Sequence, residues 1–261
     1  MAFYIGGNKF SARIHDGSSI EKAAPSLWDL AQSGKKDNGY YWINPNDAFS
    51  SPIYLYCDFD YEANTAFALV IANRMSTGGV NSSTLTPDGV NSTNTQSYVT
   101  YTNAVNNINY RGSYGNTNLD FNLFVGVKYY VHLGREIVQF VSSSARTLSD
   151  RGNHTKRYKW GFTGMSDTYG FQGAFGIDDE TGTGAPGFYS YHAANGYSLS
   201  TYDQDQDAYG DNCSAAYGNQ PWWFGACWDG NYFGHNNGPY WSGSSGDNHT
   251  YGAVYIGGRI S

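Results

Sequence analysis

The best helix candidate in this chain is one short stretch, 25–34, and the other patterned segments read as strands and turns. In that stretch Pro25 stands near the first turn, Leu27, Leu30 and Ala31 form an apolar side, and Gly34 supplies the stop. Apolar and aromatic runs suited to strands follow at 40–45, 53–57, 66–72, 121–131 and 137–141. Val254-Tyr255-Ile256-Gly257-Gly258 echoes Phe3-Tyr4-Ile5-Gly6-Gly7, and both copies read as strands closed by glycine pairs. Residues 75–120, rich in Ser, Thr, Asn and Gly, read as long loops. Between 161 and 246 the chain reads as turns, with no sustained helix or strand. An irregular stretch of that length inside a compact domain usually carries function. The expectation is an α+β, β-rich fold with one short N-terminal helix, mixed antiparallel sheets and a long, loop-rich C-terminal region.

A β-rich chain of 261 residues can be one domain. It buries roughly three quarters of its unfolded surface, so it needs no metal or disulfide merely to fold. The 24 Tyr and 7 Trp suit wet recognition surfaces, because each ring joins an apolar body to a polar tip. The formal charge is -7, which argues against a nucleic-acid partner. The nearest approach to a basic cluster, Lys156, Arg157 and Lys159, reads as a solvated strand end. No apolar run approaches the roughly 20 residues that span a bilayer, so no membrane span is expected. The first ten residues lack the pattern of a secretory signal. There are three cysteines, Cys57, Cys213 and Cys227, without a CxxC pair, and the six histidines are scattered. That pattern argues against zinc.

The sharpest local chemistry is Asp203-Gln204-Asp205-Gln206-Asp207-Ala208-Tyr209. Alternating carboxylates in a loop gather hard oxygens on one side, which is what calcium requires. The loop is not an EF-hand, because Ala208 stands where Gly belongs and Ser214 where the bidentate Glu belongs. The plain alternative is a solvated acidic turn. Three other patterns carry little. The GxGxxG match at 182–187 contains Pro186 and lacks a strand–helix setting. Asp178, Asp179 and Glu180 are adjacent, so they cannot simply flank a sugar as catalytic acids do and read as surface charge. The sequons at Asn81 and Asn153 are what an Asn-rich chain produces by chance.

Downstream of the acidic loop come Asn212-Cys213, then Pro221-Trp222-Trp223-Phe224-Gly225-Ala226-Cys227-Trp228, then Asn231-Tyr232-Phe233-Gly234. Upstream stand Asp29-Leu30-Ala31 with Gly34, Gly39-Tyr40-Tyr41, Ile43-Asn44-Pro45 and Leu55-Tyr56-Cys57-Asp58. Both ends resemble the fibrinogen-like domain family, and its lectin-type members in particular. The resemblance implies a leader or attachment-strand segment at 1–24 and a fibrinogen-like domain at 25–261 with a divergent middle at 75–170. It implies calcium held by the carboxylates of Asp205 and Asp207 and the backbone carbonyls of Tyr209 and Asp211. It implies a Cys213–Cys227 disulfide and a cis Ala226-Cys227 peptide whose N–H groups bind the carbonyl of an N-acetyl group. Tyr217 and Trp228 would line the methyl slot, with Tyr240 or Trp241 as a further wall. The sequence departs from the family where Trp228 replaces a His, where Leu27 stands in place of the partner cysteine of Cys57, and where Asp211 stands in place of a Gly.

The function expected from this reading is non-enzymatic recognition of a glycan or acetyl group by a virion surface or fibre protein that binds a host surface receptor. Its partners would be an N-acetylated carbohydrate and other virion proteins, and it would be a homo-oligomer whose many copies strengthen weak sites. A secreted, extracellular defence lectin and a structural virion decoration protein with a vestigial pocket are the alternatives. No pair of carboxylates supports a glycosidase.

Overall fold

The structure is a computed structural model that describes residues 2–5, 8–11, 15–44, 52–75, 105–107, 119–125, 132–142, 147–166, 170–181, 200–201, 203–216, 224 and 251–260. Helix α1 (Leu27–Gln32) forms where the sequence places it. The Ser26 hydroxyl oxygen accepts the Asp29 N–H at 2.9 Å and donates to the Asp29 carboxylate at 2.6 Å, a capping pair that fixes the first turn. Gly34, at φ +91°, ends it in a conformation open to glycine at little cost. Leu27, Leu30 and Ala31 are buried, so the helix lays its apolar side on the sheet.

Two strands, β1 (Ala2–Ile5) and β2 (Asn8–Ser11), pair antiparallel as a separate two-stranded sheet. Among the described residues, every other strand joins one antiparallel sheet of nine: β3 (Gly39–Ile43), β4 (Ile53–Asp58), β5 (Thr65–Met75), β6 (Val105–Asn107), β7 (Leu119–Val125), β8 (Glu136–Ser142), β9 (Lys156–Ser166), β10 (Gly170–Thr181) and β11 (Tyr251–Arg259). The main path runs β10-β9-β8-β11-β5-β4-β3, with β7 also on β5 and β6 on β7. The two glycine-closed echoes therefore have different places. Phe3–Ile5 lies in the small hairpin, while Val254–Gly258 lies in the middle of the large sheet, between β8 and β5.

The centre of that sheet is covered on both faces. Ala66 to Ala72 of β5 are fully buried, as are Tyr251 and Ala253 to Ile256 of β11. A strand buried on both faces reads as a continuous apolar run rather than an alternating one, which is why 66–72 is so legible. One face carries a cluster built on Tyr56, Phe67, Leu69, Val138, Phe140, Tyr251 and Tyr255. On the outer hairpin, Tyr40 packs against Tyr54 and Tyr56 with ring centroids 5.3 Å apart in each case, and these aromatic contacts pin the register of β3 on β4. The segment before α1 is tied to that hairpin, since the Trp42 N–H donates to Gly17 and the Ala24 N–H donates to Trp42.

Two expectations are corrected. The stretch from 161 onward is not free of strands: β9 and β10 form a long antiparallel hairpin reaching Thr181, with a register shift between Phe175 and Asp179. Its strands carry Gly161, Gly164, Gly173 and Gly176, and glycine weakens the strand signal without preventing pairing along a neighbour. Nor are Lys156, Arg157 and Lys159 a solvated strand end, because all three are buried in β9. The Lys159 ammonium lies 2.9 Å from Glu62 and 3.2 Å from Glu136. Burial alone would lower its pKa, yet these two carboxylates hold it above the ordinary lysine value. Arg157 donates to the Arg151 carbonyl at 2.8 Å. Bound to protein groups in this way, these cations still offer no surface to phosphates.

Candidate functional site

The acidic loop is held by individual polar atoms. Thr201 and Gln204 exchange backbone hydrogen bonds of 3.0 and 3.2 Å and close a tight turn. The Thr201 hydroxyl donates to Asp203 at 2.7 Å, and the Ser200 hydroxyl oxygen accepts the Gln206 N–H at 2.9 Å. The Asn212 side chain then works in two directions. Its amide donates to the Thr201 carbonyl at 3.0 Å, and its carbonyl oxygen accepts the Ala215 N–H at 2.9 Å, capping helix α2 (Cys213–Ala216). Ser200, Thr201, Cys213 and Ser214 are fully buried at the base, so the loop is clamped at both ends.

Within this frame the two expected carboxylates do come together. Asp205 accepts the Asp207 N–H at 3.2 Å. Asp207 accepts the Tyr209 N–H on Oδ1 and the Cys213 N–H on Oδ2, both at 2.9 Å. Burial raises the Asp207 pKa above the usual carboxylate value. The two backbone N–H groups pull it down, and the charge and hydrogen bond of neighbouring Asp205 push it up again. A pair of carboxylates that repel in this way fits a hard divalent cation, and each Asp207 oxygen keeps a lone pair beyond its N–H bond. Among the described residues no group of three acidic, His or Cys side chains converges for a metal. A cation here would therefore draw its remaining oxygens from backbone and water. Tyr209 and Asp211 are exposed at the loop's far end.

The other half of the expected site, Tyr217, Ala226, Cys227, Trp228, Tyr240 and Trp241, lies outside the described residues. So does the Ala226-Cys227 peptide expected to be cis. Also outside are the GxGxxG match at 182–187 and Asn81. Cys57 is free and fully buried, and burial drives its thiol pKa far above the ordinary value, so it is an inert core thiol. Leu27, in the place of the family's partner cysteine, is buried hydrocarbon.

Sequence reasoning missed the clamp of Ser200, Thr201 and Asn212. A signal for part of it was present, because an Asn directly before Cys-Ser-Ala-Ala is a cap in front of a short helical turn. It also missed Asp58, a fully buried carboxylate at the end of β4. Asp58 accepts the Ser149 N–H at 3.0 Å and the Asp60 N–H at 3.1 Å, and the Ser149 hydroxyl at 2.6 and 2.7 Å on its two oxygens. Asn38 joins the network, donating to the Ser149 hydroxyl oxygen at 3.1 Å and accepting the Phe59 N–H at 2.7 Å. Burial raises the Asp58 pKa even against these donors.

One antiparallel sheet with a short helix packed on it is an architecture shared with fibrinogen-like globular domains, a class of generally non-enzymatic binding domains. The chain has the fold of that class. Its residues 151–256 match the family model described as the C-terminal globular domain of fibrinogen beta and gamma chains. Two solved structures agree in fold. A lamprey fibrin D-dimer complexed with the peptide ligand Gly-His-Arg-Pro-amide is 15% identical with a TM-score of 0.57, over 92% of this chain and 74% of the other. The fibrinogen-like globe domain of human ANGPTL6 is 18% identical with a TM-score of 0.53, over 89% of this chain and 94% of the other. No curated protein matches the chain in sequence.

Proposed function

We propose that this chain is a calcium-dependent recognition domain for N-acetylated glycans. In this reading Asp205 and Asp207 hold the ion together with the backbone carbonyls of Tyr209 and Asp211. Tyr217, Ala226, Cys227, Trp228, Tyr240 and Trp241 form the acetyl pocket. Bound calcium would supply charge neutralisation that fixes the loop, and the protein's own groups would do the recognising. The observation that carries the reading is the Asp207 carboxylate, which sits beside Asp205 and binds the Cys213 N–H at 2.9 Å. That contact ties the ion-binding loop to the cysteine that would frame the pocket. The bridge we propose, from the family resemblance, runs from Cys213 to Cys227 and leaves Cys57 as a buried free thiol.

The setting we propose is a virion surface, where homo-oligomeric copies next to other virion proteins bind a host receptor. The β1–β2 hairpin, which pairs apart from the nine-stranded sheet, supports it as an attachment element. Secretion as a defence lectin is the alternative setting.

Isothermal titration with N-acetylglucosamine and with glucosamine, each with and without a calcium chelator, tests the site. Binding of the acetylated sugar alone, lost on chelation, is the expected result. Absence of binding at millimolar sugar, or equal binding of both sugars, would overturn the reading.

A further inference from the structure

A cleft of about 300 Å³ opens where the start of α1 meets the ends of β8 and β11, and among the described residues none of its lining belongs to the acidic loop. That volume lies at the small end of ligand sites, enough for one sugar-sized group. Its base is glycine. A Cβ on Gly257 would fall 2.0 Å from the Ala66 carbonyl oxygen, and one on Gly134 would fall 1.9 Å from the Gly257 oxygen, so the strands close up on bare backbone there. Gly258, at φ +145°, continues this surface without a side chain.

Three features of the lining are unexplained by folding. Trp28 is 48% exposed although the helix buries its neighbour Leu27. Arg135 and Arg259 also line the cleft and are exposed, and no ion pair or hydrogen bond holds either among the described residues. Gly257 pairs with both Glu136 and Phe67, which brings Arg135, just before β8, and Arg259, in β11, to the same end of the sheet, where both line the cleft. Beside these three stands Glu136. Its Oε2 is fixed 3.2 Å from the Lys159 ammonium, which leaves Oε1 facing the Gly258 backbone, 3.7 Å from where a Cβ would stand.

We infer that this cleft is a second binding site, for a carboxylate-bearing sugar such as a uronate. The two guanidinium groups suit a carboxylate, because an arginine fork matches its geometry. A bare anion would meet the Glu136 carboxylate, whereas a sugar offers that same oxygen hydroxyl donors. The ring's apolar face suits the Trp28 indole. Together they ask for an anion, a hydroxyl and a flat apolar face in one small molecule.

Titration of the full chain with glucuronate, glucose and acetate, followed by calorimetry and ligand-observed NMR, tests the site. Glucuronate is expected to bind in preference to both controls and to weaken with added salt. Removing either arginine, as Arg135→Ala or Arg259→Ala, should weaken it about tenfold. Trp28→Ala, at an exposed position that leaves the fold intact, should weaken it further, and calcium chelation should leave it unchanged. Equal binding of glucose, equal binding of acetate, indifference to all three substitutions, or loss on chelation would each overturn the assignment. The last outcome would return the sugar to the acidic-loop site, and failure of that site leaves this test intact.

Discussion

In β5 and β11 every residue from Ala66 to Ala72 and from Tyr251 to Gly257 is buried, whereas not one residue of 203–211 is. The sheet centre is held by many interchangeable contacts, each large apolar side chain contributing about 1.5–3 kcal/mol by leaving water. The acidic loop is held by a handful of side-chain-to-backbone hydrogen bonds, each with a net worth of about 0.5–1.5 kcal/mol. A region of the first kind tolerates changes of side chain but not intrusion on its backbone. One of the second kind depends on single atoms, and so responds to protons and ions.

The sharpest way to break that contrast is to intrude on the sheet. Gly257→Ala places a methyl group against the Ala66 carbonyl, and we expect a loss above about 3 kcal/mol in urea unfolding. A loss below about 1 kcal/mol would mean that the sheet yields as readily as a loop.

Next comes Asp58, where a single polar atom set is buried as deeply as the core. Asp58→Ala strands the Ser149 and Asp60 N–H groups, and we expect about 2–4 kcal/mol. Because the folded pKa of Asp58 is raised above 3.8, the native state binds this proton more tightly than the unfolded chain. Its contribution to stability is therefore greatest below that pH and falls as pH rises through the raised value. Asp58→Asn keeps an acceptor and removes this slope, so stability measured between about pH 3 and 7 should be flatter in the variant.

Asp207→Ala removes the acceptor for Tyr209 and Cys213 and should cost about 1–2 kcal/mol without added metal. The same change should abolish any rise in Tm on adding calcium, and in the unaltered protein that rise should fade as pH drops through the raised Asp207 pKa. The smallest effect is expected at Asn212→Ala, about 1 kcal/mol for the lost cap and clamp. Were it to exceed the Asp207 effect, the loop would owe its order to its frame rather than to its acids.

This division also explains what the sequence made legible. Helix α1 and strands β3, β4, β5, β8 and β11 were readable because their apolar residues are packed in long runs with a Pro, Ser or Gly at the boundary. The β9–β10 hairpin was hidden by its glycines, and the burial of Lys156, Arg157 and Lys159 was hidden because their partners, such as Glu62, are remote in sequence. Of the site, Asp205 and Asp207 were readable from local alternation. Trp28, Arg135 and Arg259 were not, because three separate elements bring them to one cleft. Local patterns announce themselves, and convergence does not.

The placement of β11 has a kinetic consequence. It fills the gap between β5 and β8, pairing Tyr251 with Arg74 on one side and with Ser142 on the other. Until that late segment arrives, β5 and β8 are not neighbours and each presents an unpaired edge over an apolar face. Closing so long a loop is slow, and open edges of that kind recruit one another. Refolding should therefore be concentration-sensitive up to the moment one strand slides home, and the sheet is sealed by its last piece.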